Sequence, residues 1–328
     1  MVRARDTLET VLVTGGHGTM GPWVSRELAR RGARVVVLDL LAEPRFVPPG
    51  YVVDAVVVGD VQDTKLVRDT LHAHRITRVV HLAAVVGEPC ETDPVRAFEV
   101  NVIATQRLIV AAEAAGIVRL TANSTKGALG PLPARYLHPI YDPVPVDHPP
   151  SPRQVYEVTK LAVERLVVAA RGRGLSAAAL RFSTTWGPGK SGDTHAGLSF
   201  HSDLVASARR GGEIAVDVHA DQGFDLIYYG DVGAGIAAAC LAERPLAAPV
   251  YQFGAGRITR MSEFAAALEA TFPGCRIAMG DRFPPGRNVL LDIDAARADL
   301  GYAPRFDVLA ALADMRAAGE RATAGPGS

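Results

Sequence analysis

Tyr156 and Lys160 stand four residues apart in the segment Val155-Tyr156-Glu157-Val158-Thr159-Lys160. Residues at i and i+4 share one face of a helix, so a helix here sends a phenol and an ammonium into the same cleft. A phenol ordinarily titrates near ~10. A neighbouring cation favours the phenolate and lowers that value, which would let Tyr156 trade a proton with an alcohol or ketone near neutral pH. Upstream lies a glycine-rich turn, Thr14-Gly15-Gly16-His17-Gly18-Thr19-Met20-Gly21. Such a turn can hold a dinucleotide that accepts or donates hydride. One feature moves a proton and the other holds the hydride carrier.

The elements that must position these residues follow from apolar patterning. Residues 10–14 form a short apolar strand that ends at the turn, and 21–31 form the next helix, burying Trp23, Val24 and Leu28. The Val-rich runs 33–39 and 52–59 read as strands covered on both faces. Residues 64–74 form an amphipathic helix with Asp63 as its N-cap. Strands are expected at 78–84, 118–123 and 176–182. Helices are expected at 94–115, ended by Gly116, and at 154–171, which carries Tyr156 and Lys160. Repeated units of this kind imply an α/β fold built on a doubly wound parallel sheet with right-handed crossovers. Ligands bind such sheets at the carboxyl ends of the strands. Gly15, Asp39, Asp60, Ala83, Thr125 and Phe182 all fall at or just past those ends.

The glycine spacing is Gly15-x-x-Gly18-x-x-Gly21 rather than G-x-G-x-x-G. Gly15 permits a tight turn, Gly18 close approach of a pyrophosphate, and Gly21 packing of helix on strand. The phosphates would sit at the helix N-terminus. Asp39 ends the second strand, where a carboxylate bonds the adenosine ribose and repels a 2′-phosphate, so NAD is favoured over NADP. Arg45 is read as too far along the loop to reverse this. Asp60 serves either the adenine edge or an ordinary turn.

Composition sets the outer limits. The 328 residues carry 35 basic and 35 acidic side chains. Balanced charge gives no reason to expect nucleic acid or an anionic membrane as partner. The lysines are Lys65, Lys126, Lys160 and Lys190. Cys90, Cys240 and Cys275 show neither metal-ligand spacing nor a disulfide framework, and His195 and His201 show no partner spacing for a metal and are expected to be solvated. No apolar run reaches the ~18 residues of a membrane helix. A cytoplasmic protein is expected.

Taken together these segments resemble the extended short-chain dehydrogenases/reductases of the NAD-dependent epimerase/dehydratase type. The likeness runs from about Thr10 to about Ala311. It rests on the glycine turn, Asp39, Gly59-Asp60-Val61, His81-Leu82-Ala83-Ala84, Asn101, Tyr156-x-x-x-Lys160, and Arg181 with Gly187-Pro188-Gly189. Later echoes are Asp225-Leu226-Ile227-Tyr228, Asp231-Val232, and Asp292-Ile293-Asp294 with Leu300-Gly301-Tyr302. The resemblance implies Tyr156 as general acid/base, with Lys160 holding the nicotinamide ribose and Thr125 bonding the reacting oxygen. It implies NAD contacts at Gly15, His17, Gly18, Thr19, Met20, Gly21, Asp39, Asp60, Val61, Leu82, Ala83, Ala84 and Phe182. It further implies a Rossmann-type domain over 1–183, with 230–255 returning to it. A smaller α+β substrate domain would cover 184–229 and 256–316, followed by a frayed tail over 317–328. A homodimer through the helices at 94–115 and 154–171 is expected.

Departures from the family pattern bear on the substrate. Lys126-Gly127 stands where dehydratases carry Asp-Glu, so dehydration is not expected. Phe224 replaces an arginine that helps bind the pyrophosphate of nucleotide sugars, Pro284 occupies the place of a second, between Arg282 and Arg287, and Thr184 replaces the usual asparagine. A diphosphate loses charge-assisted partners without those arginines. Ser124, Lys126, Thr184 and Arg135 are candidate substrate contacts. Lys126 would pair with a carboxylate or phosphate, or else turn to solvent. The proline-rich stretch 131–152 reads as a lid or as a rigid surface excursion, and 190–201 as a second substrate loop. Three functions compete: an NAD-dependent dehydrogenase acting on a small sugar, sugar acid or other polar hydroxy compound; a sugar or nucleotide-sugar epimerase; and a non-catalytic NAD-binding regulator.

Overall fold

The structure is a computed structural model that describes residues 9–189, 199–284 and 288–323. Its first half alternates strand and helix. In chain order it comprises β1 (Thr10–Thr14), α1 (Gly21–Arg30), β2 (Arg34–Asp39), β3 (Ala55–Val58), α2 (Thr64–Ala73) and β4 (Arg78–His81). These are followed by α3 (Glu88–Thr92), α4 (Pro94–Phe98), α5 (Ala104–Ala114), β5 (Arg119–Thr125), α6 (Val155–Gly172) and β6 (Ser176–Phe182). Side chains alternate across each strand. Val11 and Val13 therefore join one core with Trp23, Leu180 and Phe253, while Leu12 joins the other with Leu108 and Val163. Burial on both faces explains why β2 is an unbroken apolar run. β3 is shorter than the expected 52–59 strand and is covered on one side. Val56 and Val58 are 39% and 57% exposed, because β3 lies at the sheet edge.

Residues 94–115 do not form one helix. α4 and α5 are joined by a π-helical turn, Glu99–Ile103, and Asn101 sits in it, buried. The wider turn swings the Asn101 amide towards the end of β4. Oδ1 accepts from Val85 N at 2.7 Å, and Nδ2 donates to Val85 O at 2.9 Å and to Thr159 Oγ1 at 3.1 Å. The helix expected at 64–74 keeps its cap: the Asp63 carboxylate accepts from Lys65 N and Leu66 N.

The remaining chain adds β7 (Thr184–Trp186), α7 (Phe200–Arg210), β8 (Gly212–Val216), β9 (Gly223–Phe224), β10 (Leu226–Tyr228), α8 (Tyr229–Leu241) and β11 (Val250–Phe253). Then come β12 (Thr259–Arg260), α9 (Met261–Thr271), β13 (Cys275–Met279), α10 (Asp294–Leu300) and α11 (Val308–Thr323). β11 returns to the main sheet beside β6, giving seven parallel strands in the order β11-β6-β5-β4-β1-β2-β3. The pairs β7–β10, β8–β13 and β9–β12 lie outside it. Helix continues through residues 317–323, where a frayed tail was expected. Residues 324–328 lie outside the described residues. The stretch 131–152 is a belt rather than a lid. Val144 N donates to Leu290 O at 2.8 Å, Asp292 N donates to Val144 O at 3.0 Å, and Tyr136 is buried.

Candidate active site

The carboxyl ends of the strands open into one cavity of about 1270 Å³. That exceeds the roughly 300–1,000 Å³ usual for a small-molecule site, and gives room for a dinucleotide beside a second molecule. The glycine turn lines it. Gly15 has φ +68°, and a Cβ there would lie 2.6 Å from Ala83 N, so any side chain would separate β1 from the end of β4. A Cβ on Gly21 would strike the Gly16 carbonyl. Gly21 thus closes the turn on itself rather than fitting helix to strand. α1 has no side-chain cap and no acidic residue in its first turn. A helix start left this way suits a diphosphate. His17, Gly18, Thr19, Met20, Asp39, Asp60, Val61, Leu82, Ala83, Ala84 and Phe182 all line the cavity. So does Arg45, on the loop that follows β2. Asp60 accepts from Gln62 N at 2.9 Å and from Gln62 Nε2 at 3.2 Å, and is therefore a turn aspartate that also faces the cavity.

Thr125 and Tyr156 line the same cavity. β5 ends at Thr125, whose hydroxyl oxygen accepts from Gly127 N at 3.1 Å and whose O–H remains to donate. α6 opens with a capping box between Gln154 and Glu157, which fixes the first turn and so aims Tyr156. Tyr156 as a whole is half-buried, but its hydroxyl is enclosed by protein. Burial raises its pKa, and Cys90 and Glu157 push the same way. The depression expected from Lys160 does not prevail. The ammonium lies 5.8 Å from the ring centroid and is held instead by Asn123 Oδ1 at 2.9 Å. Asn123 escaped the sequence reading. The available signal was its position two residues before Thr125, on the same face of one strand.

Burial lowers the Lys160 pKa from 10.5 to about 8. Between those values the unfolded chain binds a proton that the folded chain does not, so stability rises with pH across that window. The shift corresponds to about 3 kcal/mol. Without added cofactor, wild type should gain about that much relative to Lys160→Met between pH 7 and pH 10.5. Parallel denaturant titrations of the two proteins measure it, and a constant difference would refute it.

Ser124 lines the cavity, whereas Arg135 is not placed as expected. Ser124 Oγ donates to Glu164 Oε1 at 2.6 Å, so its hydroxyl is committed to a buried network. Arg135 is absent from the cavity wall. Its guanidinium lies 4.6 Å over the Tyr136 ring and donates to the Tyr136 hydroxyl at 2.6 Å. Lys126 and Thr184 do line the cavity, joined by a 2.6 Å bond from Nζ to Oγ1. His201 is not a solvated histidine: it is 4% exposed and packs against Phe224 and Phe264, with ring centroids at 4.6 and 5.1 Å. Lys190, His195 and Arg287 lie outside the described residues.

Comparison with known proteins agrees with this geometry. The model of the NAD dependent epimerase/dehydratase family matches residues 11–253. UDP-glucose 4-epimerase of Rhizobium leguminosarum bv. trifolii is 30% identical over 324 residues, covering 92% of this chain and 94% of its own. The structure of MoeE5 in complex with UDP-glucuronic acid and NAD superposes with a TM-score of 0.77 at 29% identity, over 95% of this chain and 99% of that one. For the UDP-glucose 4-epimerase of Thermus thermophilus complexed with NAD, the TM-score is 0.75 at 25% identity, over 94% and 99%. A match that runs from the first strand to the strand that closes the main sheet settles the assignment: the chain belongs to the NAD-dependent epimerase/dehydratase family and is an NAD-dependent enzyme of the extended short-chain dehydrogenase/reductase type.

Proposed function

We propose that this protein transfers hydride at a secondary alcohol or ketone of a small sugar, sugar acid or similar polar hydroxy compound, with Tyr156 as general acid/base. The observation that supports the reading is that Thr125 and Tyr156 line the same cavity as the glycine turn and Asp39. NAD, when bound, supplies the hydride acceptor or donor. Thr125 would hold the reacting oxygen through its O–H, and Tyr156 would take or return that oxygen's proton. Lys160, set behind the tyrosine by Asn123, would steady the nicotinamide ribose. Lys126, beside Thr125, replaces the acid that a dehydration needs.

A small substrate is favoured by the residue that replaces the expected arginine. Phe224 lines the cavity and packs against Phe200 and His201, and an apolar ring offers a diphosphate no charge-assisted partner. A second reading, epimerisation of a nucleotide sugar, is favoured by the Rhizobium epimerase and by the UDP-glucuronic acid bound to MoeE5. Purified protein given NAD with sugars, sugar acids and nucleotide sugars separates the two. NADH formed in proportion to substrate is expected. Isomerised product without net NADH would replace the dehydrogenase by the epimerase.

We further propose a cytoplasmic homodimer. No described helix is long and apolar enough to cross a membrane. Val95, Phe98, Ile103 and Val110 on the α4–α5 segment and Val158 and Val168 on α6 are exposed, an apolar face suited to a partner subunit. A monomer on sizing that same sample would remove the dimer. We take 1–183 with 230–255 as the NAD-binding domain, and 184–229 with 256–316 as the substrate domain. The return of β11 to the main sheet and the separate strand pairs of the later segments support this division.

A further inference from the structure

His17 occupies the glycine turn with 2% exposure. Its backbone N–H donates to Asp39 Oδ2 at 2.9 Å. Its ring reaches over to the loop that follows β2. Nδ1 lies 2.7 Å from the Leu41 carbonyl oxygen, and Nε2 lies 3.1 Å from the Tyr51 hydroxyl. A carbonyl oxygen can only accept, so Nδ1 carries the proton and Nε2 accepts from the tyrosine. The second Asp39 oxygen accepts from Leu41 N at 3.0 Å. Turn, carboxylate and loop are thereby closed into one hydrogen-bonded ring.

Arg45 lies between the two anchor points, Leu41 and Tyr51, and lines the same cavity. This wall therefore offers two opposite charges to an adenosine ribose. A carboxylate accepts from ribose hydroxyls and repels a 2′-phosphate, whereas a guanidinium binds phosphate in a bidentate manner. Which of them faces the ribose depends on how the loop is held. The imidazole holds it at both anchors, and its own main chain holds the carboxylate.

We propose that His17 is a positioning residue for cofactor choice. By clasping Leu41 and Tyr51 it fixes Asp39 towards the ribose and restrains the loop that carries Arg45, so the preference for NAD over NADP depends on the clasp as well as on the Asp39 charge. The inference rests on this wall being the ribose site of the NAD-binding cavity, and it does not depend on which substrate is turned over.

Fluorescence titration of NADH and NADPH, with no substrate present, tests it. The ratio of the two affinities should fall at least tenfold in His17→Ala, through weaker NADH and tighter NADPH binding. Tyr51→Phe should move it the same way by less. His17→Asn keeps an N–H where Nδ1 stands and should restore most of the ratio. Adding Arg45→Ala to His17→Ala should abolish the gained NADPH affinity. An unchanged ratio in His17→Ala, with both cofactors weakened equally, would make the histidine merely structural and overturn the proposal. NADPH binding that survives loss of Arg45 would overturn it too. If His17→Ala does not fold, Tyr51→Phe decides, since it removes one hydroxyl; an unmoved ratio there is equally fatal. Wild type that binds neither cofactor removes the ribose-site reading and the clasp with it. A failed substrate panel alongside a shifted ratio leaves the clasp standing.

Discussion

Tyr156→Phe is expected to lower turnover by roughly 10²–10⁴-fold, the usual contribution of a positioned acid or base, while NAD affinity changes little. The ring, its packing and the Lys160 ammonium beneath it all remain, and the glycine turn and Asp39 are untouched. What is lost is a single hydroxyl in the cavity that Thr125 also lines. The sign of the pH dependence follows from burial. The phenol is raised from its ordinary value, so in protein without cofactor it is protonated at neutral pH and ready to act as an acid. Ketone reduction should hold through neutral pH and decline as the phenol ionises, whereas alcohol oxidation should climb with pH over the same range. Steady-state rates in both directions, with NADH binding followed by fluorescence, measure this. Turnover within threefold of wild type would remove the tyrosine from the mechanism.

How much of this was legible in the sequence divides along local and non-local lines. The glycine turn, the Asp63 cap and the Tyr156–Lys160 spacing are decided within a few residues of chain, and they could be read directly. β3 looked like a covered strand because a valine run carries no information on whether another strand pairs beyond it. The π-helical turn at Asn101 was hidden because apolar spacing cannot separate a turn of 3.6 residues from one slightly wider. Arg135 looked like a substrate contact because it lies in a long loop, but the adjacent Tyr136 ring captures it. The sign of the Tyr156 shift is set by burial of the phenol, which local spacing does not reveal, and Lys160 is held by Asn123, 37 positions from it in the chain. Ser124 shows the same limit: its hydroxyl turns to a glutamate 40 positions away.

That glutamate is the basis of the second large effect. Glu164→Ala is expected to destabilise the protein by roughly 3–5 kcal/mol, the usual cost of breaking a buried pair, and to lower its melting temperature by on the order of 10 °C. Arg181 Nη2 donates to Glu164 Oε2 at 2.8 Å, and Nε donates to Oε1 at 3.1 Å. The two side chains are 3% and 4% exposed. The guanidinium also donates to Gln252 Oε1 at 3.1 Å and to Val146 O at 3.2 Å, so one ion pair ties α6, β5, β6 and β11 to the 131–152 belt. Removing the carboxylate leaves a cation with no counter-charge inside the sheet. Removing both charges should behave differently. A Glu164→Met, Arg181→Met double variant takes away the stranded charge and should recover most of the loss, because buried pairs often do no better than apolar residues of similar volume. The double-mutant cycle measures that coupling. If the single variant costs less than about 1 kcal/mol, as exposed pairs do, water reaches the pair in solution and the strand end that presents Thr125 is held by packing alone.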